Sequence, residues 1–225
     1  MPAAYFDTQI LRFINKLDPR FRLPTGVRLL NPYQYQEIRK LVTVFYNRYY
    51  HDRKPRRFLL GINPGRLGAG LTGIPFTDPV CLTAILGIDH HLPVKPESSA
   101  TFVYEVINAM GGPKPFFEQI YLGSVCPLGF TKDEKNCNYY DQQDLLERVK
   151  PFIIDSIEGQ LAAGAKTDFV ISLGEGENFK QLRRLNEQHG WFEDVKALPH
   201  PRFVMQYKRK QKNAYIDRYL ELLCQ

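Results

Sequence analysis

Cysteine is scarce in this chain, and what there is sits badly for a metal or a cluster. Cys81, Cys126, Cys137 and Cys224 fall at wide, irregular intervals with no C-x-x-C pair, so neither a zinc ribbon nor an iron–sulfur centre is suggested and the four read as reduced thiols. Asp89-His90-His91 are adjacent rather than spaced as ligands, and no metal or cofactor is assigned. Long apolar runs are missing too: none approaches the roughly 20 residues of a membrane span. The first residues, Met1-Pro2-Ala3-Ala4-Tyr5-Phe6-Asp7, lack a basic segment followed by an apolar one, which leads to the expectation of a cytoplasmic protein with no membrane partner. Repeats, low-complexity tracts and a domain linker are likewise lacking. The chain is therefore expected to fold as a single domain over 1–225, with 1–52 as its N-terminal helical part, and to work as a monomer.

What is present is ordinary in amount and uneven in placement. Hydrophobic residues make up 44% and charged residues 24% of 225 positions, enough for a core that buries roughly 70% of the unfolded surface. Thirty Lys and Arg against 24 Asp and Glu give +6 and a pI near 9.1, a balance that suits a polyanion and also occurs without one. Arg53, Lys54, Arg56 and Arg57 form one basic run, and Lys208, Arg209, Lys210 and Lys212 another. Each reads equally as a solvated loop end or a nucleic-acid contact.

Periodicity sets out an alternating chain. Amphipathic segments run from Phe6 to Leu17 and from about Tyr35 to His51, followed by a buried strand, Phe58 to Asn63, that stops at Pro64-Gly65. A helix over Thr101–Met110 ends at Gly111-Gly112-Pro113, a strand follows from Gln119 to Cys126, and a polar loop succeeds it. A long helix, Gln142–Gly164, leads to a third strand, Asp168–Gly174, and a helix around Asn178–Gln188. The strand Asp194–Leu198 reaches His200-Pro201, and a helix closes the chain at Asn213–Leu223. The expected fold is a three-layer α/β/α arrangement around a central, mainly parallel four-stranded sheet, with the ligand beyond the C-terminal strand ends.

Those ends carry unusual sequences: Gly61-Ile62-Asn63-Pro64-Gly65, Ser124-Val125-Cys126-Pro127-Leu128, Gly174-Glu175-Gly176 and Pro199-His200-Pro201-Arg202. Glycines at 61, 65, 68, 70 and 73 would let backbone approach a ligand and adopt positive φ. There is no G-x-x-x-x-G-K-[ST], which disfavours a nucleoside triphosphate. Glu175 and Glu177 could serve as carboxylate bases beside the site, but the leading reading is that they are first-turn residues favoured by a helix dipole.

Gly61-Ile62-Asn63-Pro64-Gly65, Gly68 and Thr72-Gly73-Ile74-Pro75-Phe76 resemble the first motif of the single-strand-selective monofunctional uracil-DNA glycosylases, within the uracil-DNA glycosylase superfamily. Cys126-Pro127-Leu128 resembles the family's middle motif and His200-Pro201 the start of its second catalytic motif. The resemblance implies that fold and a base-excision repair enzyme hydrolysing the N-glycosidic bond of uracil in single- or double-stranded DNA, and the departure at Ser124 described below adds the expectation that other deaminated bases are accepted. It implies that Asn63 places the attacking water, His200 supports charge on the leaving base, Phe76 stacks on the flipped base, and Ile62 and Gly65 complete the base site. Ser124 stands where the family has an Asn that reads uracil, and a hydroxyl cannot reproduce that two-point pairing. Arg202-Phe203-Val204 also departs from the family's Ser-Pro wedge, leaving Arg202, Tyr207, Lys208 and Lys210 as DNA contacts. Each role has a plain rival: a core Phe76, a turn-forming Asn63, a packing Ser124, a structural His200. Two other functions fit the same residues. A non-catalytic nucleic-acid or nucleobase-binding module would bind without releasing base, and a nucleoside hydrolase would cleave free deoxyuridine.

Overall fold

The computed structural model of the chain describes residues 4–225. It opens with helix α1, Phe6–Asn15, whose Phe6, Ile10 and Ile14 repeat at one-turn intervals and are buried, as an amphipathic stripe requires. Strand β1 is Val27–Leu30 and helix α2 is Gln36–Tyr49. Strand β2, Arg57–Gly61, is buried at every position. Its uninterrupted Phe58-Leu59-Leu60 suits a strand covered on both faces.

Short helices α3, Ala69–Thr72, and α4, Pro79–Ala84, precede α5, Ser98–Ala109, and α6, Pro113–Gln119. Strand β3, Ile120–Ser124, is followed by β4, Gly129–Lys132, and β5, Lys135–Cys137. Then come α7, Gln143–Leu161; β6, Phe169–Leu173; α8, Glu177–His189; β7, Asp194–Leu198; α9, Pro201–Tyr207; and α10, Lys212–Leu223.

The four-stranded sheet has the order β3-β2-β6-β7, every pair parallel, with helices flanking it. Register makes the strands end level. Gly61 lies opposite Ser124, Leu60 opposite Ser172 and Leu173 opposite Leu198. The unusual sequences after these residues therefore leave the sheet along one rim. Among the described residues no helix is long and apolar enough to cross a membrane.

Three features depart from the sequence expectation. A second, antiparallel sheet of order β1-β4-β5 puts a strand inside the stretch expected to be helical and turns the expected polar loop into a hairpin. Its turn uses Asp133 and Glu134 at φ 48° and 57°, positions that usually call for Gly or Asn. Helix α6 starts at Pro113, read above only as a stop, where a ring without an N–H is well tolerated. Helix α9 likewise begins at Pro201.

The first basic run belongs to the fold. Arg56 and Arg57 are buried at the start of β2, at the end of the sheet opposite the rim, where Arg56 pairs with Asp52 and Arg57 with Asp168. Lys54 lies 3.8 Å from Glu118, and Arg53 covers the Tyr5 ring.

Candidate active site

At the rim the chain leaves β2 as Ile62-Asn63-Pro64-Gly65. Val125 and Cys126 donate their N–H to the carbonyls of Gly61 and Ile62 at 2.9 and 3.0 Å, so the two loops leave the sheet side by side. Asn63 is held by its amide: Nδ2 donates to the Cys137 carbonyl at 3.2 Å and to Pro64 at 3.4 Å, while Oδ1 accepts the Tyr139 N–H at 3.0 Å. One lone pair of Oδ1 is left for an entering group. Tyr139 also donates its hydroxyl to Asn178 at 3.0 Å, which binds Ser172 at 3.1 Å. Asn63 is thereby tied to the ends of three elements.

Phe76 sits at φ 52°, an unfavourable conformation for a side-chain-bearing residue that persists only where its surroundings impose it. The imposing turn centres on Thr72, whose hydroxyl donates to the Thr77 carbonyl at 2.6 Å and accepts the Ile74 N–H at 3.1 Å. The ring is thus laid across Gly61, where an added Cβ would meet it at 2.6 Å. This corrects the reading of the glycine-rich loop. Its glycines admit the protein's own side chains: Phe76 over Gly61, the Glu97 carboxylate over Gly68, Leu30 over Gly70. Of the five, only Gly73 has positive φ. The admitted Phe76 and Glu97 then form walls of the pocket.

His200 follows β7. Tyr219 of α10 donates its hydroxyl to the Pro199 carbonyl, and Nδ1 of His200 accepts the Arg202 backbone N–H at 3.1 Å, capping α9. A backbone N–H can only donate, so Nδ1 is unprotonated and the neutral ring carries its proton on Nε2. Burial, with the positive charge of Arg202, pushes the His200 pKa down to about 4. The ring lies 6.0 Å from that of Phe76.

One pocket is lined by Ile62, Asn63, Gly65, Phe76, Ser124 and His200, and Arg202 joins them. The six residues expected from the sequence to bind or cut the base are therefore gathered. Ser124 is buried, with its carbonyl taking the Gln160 amide at 3.2 Å.

The family model of the uracil DNA glycosylase superfamily matches residues 48–224. The chain belongs to that superfamily. Among curated proteins none matches. The crystal structure of wild-type Pedobacter heparinus SMUG2 superposes with a TM-score of 0.94, at 43% identity over 97% of this chain and 96% of that one. The chain is accordingly a monofunctional DNA glycosylase, a hydrolase of base excision repair whose partner is DNA, and the binding-module reading is set aside.

Beside the glycosylase's pocket, α9 exposes Tyr207 at 72% and Phe203 at 41%, their rings 5.6 Å apart. Lys208 is half-buried and Lys210 exposed. The second basic run is divided: Lys212 is drawn inward to Glu105 at 2.7 Å. Glu175 pairs with Arg218 at 2.5 Å, in keeping with a structural role. His90 is occupied by the Pro79 carbonyl at 2.7 Å and the Leu92 N–H at 3.0 Å. Sequence reasoning missed Tyr139, Glu97 and Ser99. The first is isolated in a loop, and the other two look like an ordinary helix start.

The His200 shift has a consequence for stability. Its folded pKa of about 4 lies below the ordinary value near 6.5. Between those values the unfolded chain takes up a proton that the folded one refuses, so stability is lost as pH falls through this window and is fully present above it. The glycosylase is expected to lose about 2 kcal/mol more than His200→Gln between pH 7 and pH 5, at about 1.4 kcal/mol per pH unit. Urea denaturation at both pH values measures this, and equal losses would refute it.

Proposed function

We propose that this glycosylase, a cytoplasmic monomer, turns uracil or another deaminated base out of single- or double-stranded DNA into the pocket and hydrolyses its N-glycosidic bond, leaving an abasic site. The observation that most supports this reading is the neutral His200, with Nδ1 engaged by Arg202 and its ring in a pocket walled by Phe76. Extruding a base costs a few kcal/mol. Stacking on Phe76 returns about 1–3 kcal/mol and accepts any planar ring.

As the bond breaks, negative charge grows on the base and positive charge on the sugar. His200 donates from Nε2 to a base carbonyl, where a donor fixed in advance stabilises the transition state more than the ground state. Asn63 holds the water through Oδ1. Ser124 reads the base with one hydrogen bond, a backbone group or water supplying the second, while Ile62 and Gly65 close the site around it. Arg202, Lys208 and Lys210 meet phosphates, and Tyr207 offers a stacking face to the strand.

Because one hydroxyl discriminates less than an amide, release is expected from oligonucleotides carrying uracil and also from those carrying hypoxanthine or xanthine. Chromatography of the freed base on matched substrates tests this. Release of uracil alone would remove the broad-specificity part, and release of none would remove the proposed activity.

A further inference from the structure

We propose that Glu97 is a further catalytic residue of this site: its carboxylate takes the proton of the attacking water and faces the positive charge that develops on the sugar. The inference rests on the glycosylase reading above and supplies a group that reading lacks. An amide can hold a water but is no base, and the Nδ2 group of Asn63 already donates to Cys137 and Pro64.

Glu97 is the one carboxylate lining the pocket among the described residues. It is seated on the glycine-rich loop. A Cβ on Gly68 would fall 2.0 Å from Oε2, and one on Gly65 would fall 3.8 Å from Oε1, which places the carboxylate beside the turn that carries Asn63. Gly68 leaves the space this carboxylate fills.

The ordinary role for an acidic residue at a helix start is to cap it, and Glu97 does not: it is the N-cap of α5 without a side-chain cap bond. Its backbone N–H is instead anchored on Asp78 Oδ2 at 2.7 Å, while the other oxygen of Asp78 caps α4 through Cys81 at 2.7 Å. The main chain at 97 is thus held without help from its own carboxylate.

Ser99 points the same way. It is 1% exposed, lines the same pocket, and its hydroxyl has no hydrogen-bond partner among the described residues, although it lies near enough to favour the charged form of Glu97. A buried hydroxyl with no well-formed hydrogen bond, set beside this carboxylate, is placed to bind a polar group that enters the pocket. A water held between Asn63 Oδ1, Ser99 Oγ and Glu97 is such a group.

The charged groups acting on Glu97 are Arg202 from α9 and Asp78 from the start of α4. Burial raises the Glu97 pKa, Arg202 opposes this, and Asp78 adds to it, with a net rise. A carboxylate made more basic than usual is a better proton acceptor.

In the step itself the water oxygen bonds to C1′ while the C1′–N bond breaks. The bonding pair leaves with the base, whose charge His200 meets. The water proton passes to Glu97, and the anionic base is protonated after release.

Single-turnover base release between pH 5 and 9 tests this, with affinity read on an oligonucleotide carrying uncleavable 2′-fluorodeoxyuridine. Wild type should gain rate through an apparent pKa above the ordinary glutamate range and then level off. Glu97→Gln should lie about 100-fold lower on the plateau, without the acid limb, and bind the analogue within about threefold of wild type. Glu97→Asp, which keeps a displaced carboxylate, should be slowed but retain the limb; it decides the matter if the Gln variant does not fold. Wild-type rates in either variant would overturn the proposal, as would a rate loss matched by an equal loss of affinity. A wild type that releases no deaminated base would overturn the glycosylase reading, whereas an active wild type with an equally active Glu97→Gln would overturn this inference alone.

Discussion

Replacing His200 by alanine is expected to slow base release by on the order of 10²–10³-fold while leaving DNA affinity within a few fold. A preorganised donor to a developing oxyanion carries about that much of a rate enhancement. His200 qualifies because its tautomer is set by the Arg202 N–H and its low pKa of about 4 keeps it a neutral donor across the physiological range. Two effects are mixed in the alanine variant, since the side chain also caps α9 and losing a cap costs about 1 kcal/mol. His200→Ser separates them. A serine restores the cap and with it the stability, yet cannot reach the base as an imidazole does, so its rate should stay low. Single-turnover kinetics with thermal melts provide the comparison. A serine variant that recovered wild-type rate would mean that the histidine merely holds the helix in place.

The second large effect is one of stability. Arg56→Ala should destabilise the fold by about 3–5 kcal/mol, since the buried guanidinium loses its ion pair and its hydrogen bonds to two carbonyls together, and lower the melting temperature by roughly 6–20 °C. Arg56 is fully buried. Its Nε donates to the Phe117 carbonyl at 2.7 Å, NH1 to the Lys54 carbonyl at 2.9 Å, and both terminal nitrogens to Asp52 at 2.9 and 2.8 Å. Its guanidinium also lies over the rings of Phe6 and Tyr50 at 4.5 and 4.9 Å. Burial alone would raise the Asp52 pKa, but the Arg56 bonds outweigh it and hold it below the ordinary value. Deleting the guanidinium strands two carbonyls and a carboxylate together. Because Arg56 stands at the end of the sheet away from the pocket, activity per folded molecule should be unchanged. Urea denaturation and activity at low temperature check both halves; a loss below 1 kcal/mol would contradict the account.

Arg56 also shows where sequence reasoning reaches its limit. A run of Arg53, Lys54, Arg56 and Arg57 has the same composition whether it meets phosphate or buries itself against Asp52 and Asp168, and only the fold decides. The parallel sheet was legible because β2, β3 and β6 are short apolar runs between helical periods, a pattern imposed by burial on both faces. The β1-β4-β5 sheet was not, because its strands are three or four residues long and its hairpin turn carries Asp133 and Glu134. Among the pocket's residues, Asn63, Ser124 and His200 could be found from their motif positions at strand ends, and Phe76 from its place at the close of the first motif. Glu97 could not. What marks it is the absence of a side chain at Gly68, and that absence acquires meaning only once the two segments meet. The glycine spacing was visible from the outset, but the protein's own side chains fill most of the room it makes.

The most direct test of the central claim is to incubate a labelled oligonucleotide bearing a single uracil with the protein, in single- and double-stranded form, with and without borohydride and with and without alkali. Free uracil should appear, the strand should stay intact until alkali breaks it at the abasic site, and borohydride should trap no covalent adduct, since no lysine attacks the sugar. A trapped protein–DNA adduct, or strand breakage without alkali, would contradict the monofunctional hydrolytic mechanism, and no uracil release from either form would contradict uracil as a substrate.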